Sequence, residues 1–548
     1  MGENMLRGLM MDRPLLVSSL IEHAARYHGD TEIVSRTVEG PIHRYSYAAA
    51  AGRAKRVAQA LRRLGMQPGD RIGTLGWNGH RHFELYYGIS GVGMVCHTIN
   101  PRLFTEQIAY IVNHAQDRLL FVDLTFLPLV EKLADQLKPV EAIVVMTDRA
   151  HMPSSSSLPK LLCYEELVAA ETGELAWPEL DENTASSLCY SSGTTGNPKG
   201  ALYSHRSTVL HCLVKSLSME LTNRDAICPI VPMFHVNAWA VPYCGPLCGA
   251  KLVFPGPALD GASLHALFEA EGVTCTSGVP TVWMGLLRYM EDNAKRFSTL
   301  KRLLVGGSAA PLAMLKTFEE TYGVLAVHGW GMTEMSPVGS LVMLSGKLLD
   351  LPKDRQYDYK IKQGRALFGV DMKIVDAEGG EVARDGVARG ELLVRGPWVI
   401  SAYYDDAAAS AAAFDADGWF RTGDVATIDP EGFMQLVDRR KDVIKSGGEW
   451  ISSIDIENMM IGHPDVAEAA VIGLPHPKWA ERPLLVVVAK AGRTPTREAM
   501  LDFLAARLAK WMVPDDVVFV AELPHTATGK LQKTKLREQF RDYRLPTA

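Results

Sequence analysis

Apolar positions along the first 360 or so residues recur in two spacings. Across Tyr47–Leu64 they fall three and four apart, which predicts an amphipathic helix. Arg71–Trp77 then reads as a strand and Phe83–Gly91 as a helix, with further strands at Leu119–Val122, Ala142–Met146, Val273–Ser277 and Arg302–Val305. Strands alternating with helices predict an α/β class with parallel layers. From about Gly364 the pattern changes. Val370–Val375, Gly390–Arg395, Val425–Ile428 and Phe433–Leu436 are short strands separated by Gly, Asp and Pro turns, a small β subdomain. Beyond Asp438–Lys441 come a helix near Ser453, strands at Glu468–Gly473 and Leu484–Ala489, and a helix at Thr496–Lys510. This predicts an α+β C-terminal domain, with the boundary at Arg440–Lys441, so that residues 1–440 and 441–548 form two units. Ser154–Ser157 reads as a loop and Ala407–Ala413 as a helical segment.

Length and composition narrow the picture. A chain of 548 residues is too long for one core, so several subdomains are expected. The net charge of −6 comes with no broad basic field, which argues against a nucleic-acid partner. The eight cysteines form no CxxC pair and none follows Cys275, so buried thiols in a reducing cytoplasm are expected rather than a disulfide framework or a zinc site. Glu3, Asp12 and Arg13 interrupt the N-terminal region, which does not read as a signal peptide, and Leu6 departs from a myristoylation signal. The apolar run 119–130 is broken by Asp123 and Pro128, so no integral membrane segment is expected; peripheral membrane contact stays open.

The first chemistry appears at Tyr190–Gly200, YSSGTTGNPKG. Gly193, Gly196 and Gly200 let backbone N–H groups approach an anion closely. Ser191, Ser192, Thr194 and Thr195 add hydroxyl donors, and Lys199 adds a charge. A flexible linker does not need that set, and the spacing is not that of a Walker A loop. Unaided, the loop says only that it cradles a polyphosphate.

This loop resembles the YTSGTTGxPKG signature of the adenylate-forming superfamily, which comprises acyl-CoA synthetases, peptide-synthetase adenylation domains and luciferases. Ser191 stands where the family often has Thr, and the hydroxyl is kept. The family's other motifs follow in order. The resemblance makes Val231–Trp239 the wall of the acyl pocket, with His235, Val236 and Trp239 facing the acid, Trp239 as a gate, and Gly306 and Gly331 beside it. It places Gly307, Ser308 and Ala309 against the adenine. In His328-Gly329-Trp330-Gly331-Met332-Thr333-Glu334 it gives Thr333 to the α-phosphate and Glu334, with Ser191, to Mg²⁺. It gives Asp424 and Arg439 to the ribose, Lys441 to the hinge, and Lys445 and Trp450 to the nucleotide. Gly447, Gly448 and Glu449 fall to the pantetheine arm of CoA. In Pro524–Lys530 it gives Lys530 to the attacking carboxylate and the α-phosphate.

The resemblance implies two half-reactions. The acid attacks Mg-ATP to form acyl-AMP and pyrophosphate, and CoA then takes the acyl group. The first step needs charge neutralisation and in-line positioning, for which Lys199, Lys530, Thr333 and Glu334 are the catalytic candidates. The stretches 96–104, 231–239, 256–264, 445–452 and 478–484 resemble bacterial medium- and long-chain fatty acyl-CoA synthetases and methylmercaptopropionate-CoA ligases. A medium- to long-chain fatty acid is therefore the expected substrate and a short thioether acid, methylmercaptopropionate, the alternative. An acyl-AMP ligase serving a carrier protein, a luciferase-like oxidase and a non-catalytic acyl- or nucleotide-binding protein are the other readings. Close relatives often dimerise, which implies a homodimer, and the expected location is the cytoplasm.

Overall fold

A computed structural model describes residue 6 and residues 8–548 except 155, 159, 192–196, 440, 441, 447, 448 and 526–530. Of Glu449 and Trp450 it describes the strand Glu449–Ile451 they occupy, not the side chains. Among the calls of the sequence, Ser192, Gly193, Thr194, Thr195, Gly196, Lys441, Gly447, Gly448 and Lys530 lie outside the described residues, as does the proposed boundary at 440–441.

Two large sheets form the bulk of the chain. One has seven strands in the order Leu161–Cys163, Ala142–Val145, Asp117–Val122, Arg71–Leu75, Val95–Thr98, Ala185–Tyr190 and Gly200–Ser204. All its pairings are parallel until the last, which is an antiparallel hairpin. The other has nine strands, with a parallel centre running through Leu325–Gly331, Arg302–Val305, Cys275–Gly278, Ala226–Pro229, Lys251–Phe254 and Glu32–Arg36. Antiparallel strands close both of its edges. Apolar runs such as Leu119–Val122 are buried at every position, as strands covered on both faces require.

The predicted β subdomain is a four-stranded antiparallel sheet of Asp371–Val375, Gly390–Arg395, Phe420–Ile428 and Met434–Arg439. The C-terminal part is a five-stranded sheet dominated by the long hairpin Val466–His476 and Ala480–Ala489. Its helix Ser453–Ile461 starts on Ser452, whose side chain accepts from the Asp455 amide. This part has its own apolar core, around Ile456, Met460, Val471, Leu485 and Leu504. The helix Tyr47–Arg63 matches its periodicity, with Ala50, Ala54, Val57, Ala58 and Leu61 buried on one face. Seven of the eight cysteines are buried and Cys248 is half-buried. No helix among the described residues is long and apolar enough to cross a membrane.

Candidate functional site

The parallel strands Cys275–Gly278, Arg302–Val305 and Leu325–Gly331 are neighbours whose C-terminal ends open on the same side. In sheets of this kind ligands bind at such ends. A cavity of about 410 Å³ lies there. Its walls bring together Ser191, Lys199, His235, Val236 and Trp239 with Gly306, Gly307 and Gly329–Glu334. Arg439 and Asp442 add the far edge, and Leu531–Thr534 of the C-terminal part reach it as well. Residues separated by more than three hundred positions thus share one space.

The glycines here are needed for room. A Cβ on Gly306 would come within 3.0 Å of Cη2 of Trp239. One on Gly331 would come within 1.9 Å of the Pro337 carbonyl oxygen, so only glycine fits. The hairpin Ala185–Tyr190 and Gly200–Ser204 forms the stem of the phosphate loop. Across that stem the Ser191 amide donates to the Lys199 carbonyl at 2.9 Å.

The Thr333–Glu334 turn is held from three sides. The Tyr203 hydroxyl donates to the Thr333 carbonyl. The Ile400 amide donates to the Glu334 carbonyl at 2.9 Å. The Tyr403 hydroxyl donates to Glu334 Oε1 at 2.9 Å. Burial and the neighbouring Glu334 charge push the Tyr403 phenol well above its ordinary range, so it stays a donor. Lys199 Nζ lies 4.9 Å from the centre of the Tyr403 ring, so Tyr403 links the lysine and the carboxylate.

Asp424 is buried and faces Arg439 across two paired strands. Its carboxylate accepts from Trp330 Nε1 at 3.0 Å and pairs with Arg439 Nε at 2.9 Å. A carboxylate offers about four lone-pair sites, so two hydroxyls can still be accepted. Asp424 itself lies behind the cavity wall, which its neighbours Arg421, Thr422 and Arg439 line. Among the described residues no three His, Cys, Asp or Glu side chains cluster as a metal cage. A single carboxylate such as Glu334 beside a phosphate loop does fit Mg²⁺, which is held by one or two carboxylates, waters and substrate phosphates.

The segment Val236–Ala240 has φ of 44°, 50°, 49°, 51° and 64°, a left-handed turn of five residues without a glycine. Each such residue costs roughly 1–2 kcal/mol, so the surroundings must impose the turn. Asn237 anchors it: its Nδ2 donates to Ser187 Oγ at 2.9 Å, and Cys189 Sγ donates to its Oδ1 at 3.4 Å. The turn sets Trp239 over Gly306 in the cavity wall.

Several sequence candidates lie off the cavity wall. His328 is buried beneath the strand end, its Nδ1 within 3.2 Å of the Ile361 carbonyl, and burial pulls it down to about 4, leaving it neutral. Ser308 is exposed, and neither it nor Ala309 lines the cavity. Lys445 is also exposed and away from it. Conversely, Tyr203, Tyr403 and Arg102 escaped the reading of the sequence. The Arg102 guanidinium lies at the cavity edge, 5.6 Å from the Trp77 ring centre and 5.7 Å from that of Phe234. No local pattern marks any of the three; tertiary packing alone brings them in.

Comparison with known proteins agrees with this geometry. The AMP-binding enzyme family matches residues 20–404, and the AMP-binding enzyme C-terminal domain matches residues 455–530. A 3-methylmercaptopropionyl-CoA ligase of Ruegeria lacuscaerulensis is 52% identical over 98% of this chain and 99% of its own length. A medium-chain-fatty-acid–CoA ligase of Ectopseudomonas oleovorans is 48% identical over 98% of each chain. Among solved structures, an anthranilate CoA ligase in complex with anthranoyl-AMP superposes with a TM-score of 0.86 at 26% identity, covering 97% of this chain and 98% of its own. A phosphate-loop stem, a buried Thr-Glu turn, a paired Asp–Arg couple and these matches lead to one statement: the chain belongs to the AMP-binding, adenylate-forming enzyme family.

Proposed function

We propose that this enzyme joins a medium- to long-chain fatty acid to CoA through an acyl-adenylate. The observation that supports the acyl part is the character of the cavity beside Trp239. Val231, Val236, Val279, Leu304 and Leu341 line it, and these take an alkyl chain and offer nothing to a polar tail.

In this reading the acid carboxylate sits near His235, between the apolar wall and Thr333. Ser191, Lys199 and the backbone of the loop bind the triphosphate, and Asp424 with Arg439 binds the ribose. Glu334, with the Ser191 hydroxyl, would hold Mg²⁺, which neutralises phosphate charge when bound. Tyr403 fixes the Glu334 carboxylate and braces Lys199, so the charges that meet the polyphosphate are set before ATP arrives. Attack on the α-phosphorus forms the acyl–phosphate bond and breaks the bond to pyrophosphate. Lys530 bridges the two reacting groups. It is followed directly by Leu531–Thr534, which line the cavity. Residues 441–548 then turn about Lys441, and the strand pair carrying Lys445, Gly447, Gly448, Glu449 and Trp450 meets CoA. The thiol sulfur bonds to the acyl carbon, and AMP leaves. A cytoplasmic homodimer completes the proposal, with sedimentation velocity as its check.

The second reading is a 3-methylmercaptopropionate–CoA ligase, favoured by the 52% identity to a protein of that name. One methylene in an apolar pocket is worth about 1–3 kcal/mol, so the two readings differ by a measurable slope. The deciding experiment measures pyrophosphate release, with and without CoA, across straight-chain acids of increasing length and 3-methylmercaptopropionate. A kcat/KM that climbs with chain length to a medium or long optimum supports the first reading, and a maximum at the thioether acid supports the second. Acyl-AMP formed without any thioester on adding CoA would overturn both.

A further inference from the structure

The helix His205–Ser218 turns polar side chains inward: His205, His211 and Lys215 are all buried. His211 and Lys215 are four residues apart, on one face of the helix. Each is hydrogen-bonded to the backbone of a residue that lines the cavity. The Val338 amide donates to His211 Nε2 at 3.1 Å. Lys215 Nζ donates to the Trp239 carbonyl, inside the left-handed turn.

Both side chains are unusual where they stand. Lys215 is 2% exposed and makes no ion pair with a carboxylate among the described residues. A buried amine without such a counter-charge is costly, so its hold on the Trp239 carbonyl matters. Burial and the Lys215 charge pull His211 down to about 3. The imidazole is therefore neutral, and Nε2 can accept from Val338. Its Nδ1 is buried with no partner among the described residues. Neither side chain lines the cavity. Val338 is fixed a second time, by Trp398 Nε1 donating to its carbonyl at 3.3 Å. Among the described residues no other side chain hydrogen-bonds to the Trp239 backbone.

We infer that Lys215 and His211 are positioning residues for acyl selectivity. One helix face holds the Trp239 wall and the Val338 wall in register, and so sets the depth and width offered to the acyl chain. The inference rests on the reading of this cavity as the acyl pocket. Lys215 acts by holding a turn whose backbone is locally unfavourable; His211 acts by fixing the strand Val338–Leu341, next to the sheet's edge.

The test uses the full-length enzyme and the ratio of kcat/KM for octanoate to that for 3-methylmercaptopropionate. Lys215→Met keeps the length of the side chain and removes the donor; His211→Leu removes the acceptor, and His211→Gln restores one. Lys215→Met and His211→Leu should each change the ratio by about tenfold through the KM for the acid, with the KM values for ATP and CoA within about twofold of the parent. His211→Gln should keep the parent ratio. Adding Ala240→Gly to Lys215→Met should move the ratio back towards the parent, because glycine accepts the left-handed conformation unaided. An unchanged ratio in both folded variants overturns the inference, as does a rise in the ATP and CoA KM values equal to that for the acids. If Lys215→Met does not fold, the comparison of His211→Leu with His211→Gln decides. Trp239→Ala separates the two levels. If it shifts the ratio and the helix variants do not, this inference alone fails. If no variant, Trp239→Ala included, shifts the ratio, the acyl-pocket reading itself fails.

Discussion

At the residue scale, the candidate site depends on side chains that hold its charged groups in place. Tyr403 is the clearest case, since its hydroxyl meets Glu334 and its ring meets Lys199. Tyr403→Phe keeps the ring and removes the hydrogen bond to a charged acceptor, an interaction worth about 1.5–3 kcal/mol. The expected outcome is a fall of roughly tenfold in kcat/KM for acid-dependent pyrophosphate release, with a higher Mg²⁺ concentration needed for half-maximal rate. Steady-state assays over a Mg²⁺ series check it. Asp123 makes a different prediction. Burial pushes its carboxyl up to about 7, although Oδ2 accepts from the Trp77 amide at 2.6 Å. The folded chain therefore binds a proton that the unfolded chain has already released between the ordinary aspartate range and about pH 7. Stability from this group is present at low pH and lost as pH rises through that window. Asp123→Asn should flatten the fall, gaining on the parent protein in urea midpoint between pH 5 and pH 8. Asp123 was visible in the sequence only as an interruption of the apolar run 119–130, with no sign that its carboxylate would face a backbone amide rather than solvent.

At the element scale, the regular pieces were legible because the local pattern decides them. The helix Tyr47–Arg63 and the strand Arg302–Val305 stand where periodicity placed them. Phe420–Ile428 is longer than the four residues read as strand, because Gly423 and Asp424 look like a turn while Phe420 and Arg421 pair with Val394 and Leu393 beyond a register shift and Asp424 pairs with Arg439. The turn Val236–Ala240 was legible only as an aromatic-rich stretch. In Val-Asn-Ala-Trp-Ala only Asn237 accepts a left-handed backbone readily, and the turn is imposed by Ser187 and Cys189 bonding Asn237 and by Lys215 bonding Trp239. A paired substitution tests that conformation. In a buried right-handed helix, Ala→Gly loses a methyl worth about 0.8 kcal/mol and adds roughly 0.5–1 kcal/mol of backbone entropy cost. Ala58→Gly, fully buried in the helix Tyr47–Arg63, should therefore destabilise by about 1.3–1.8 kcal/mol. Ala240→Gly loses the same terms but relieves roughly 1–2 kcal/mol of left-handed strain, so it should be neutral within about 1 kcal/mol. Urea denaturation of the two variants side by side checks the difference; equal losses would mean the turn is not left-handed in solution.

At the scale of the whole molecule, the question is what the C-terminal part does at the cavity. Leu531–Thr534 line it, and the helix Lys533–Gln539 is tied down on the far side. Lys533 pairs with Glu457 at 2.8 Å and bonds Ser453, Ser453 bonds Asp438, and Arg537 pairs with Asp442 at 2.7 Å. Asp438 lies in the last strand of the four-stranded sheet, while Ser453 and Glu457 belong to the helix Ser453–Ile461. This network therefore joins the two parts across residues 440 and 441. The proposed second step brings CoA to the cavity that Leu531–Thr534 line, so the proposal requires the C-terminal part to move between the steps. The proposal separates the half-reactions by a single substitution. Lys530→Ala should lower pyrophosphate release from ATP and acid by about 10²-fold or more, the scale of losing one charged group that stabilises a transition state. The same variant, supplied with pre-made acyl-AMP and CoA, should form thioester at a rate close to that of the parent, because the lysine has withdrawn by then. Rapid-quench measurement of both steps decides it. Equal losses in the two half-reactions would mean that Lys530 supports the fold or the hinge rather than the phosphoryl transfer, and an unchanged first step would remove it from the chemistry altogether.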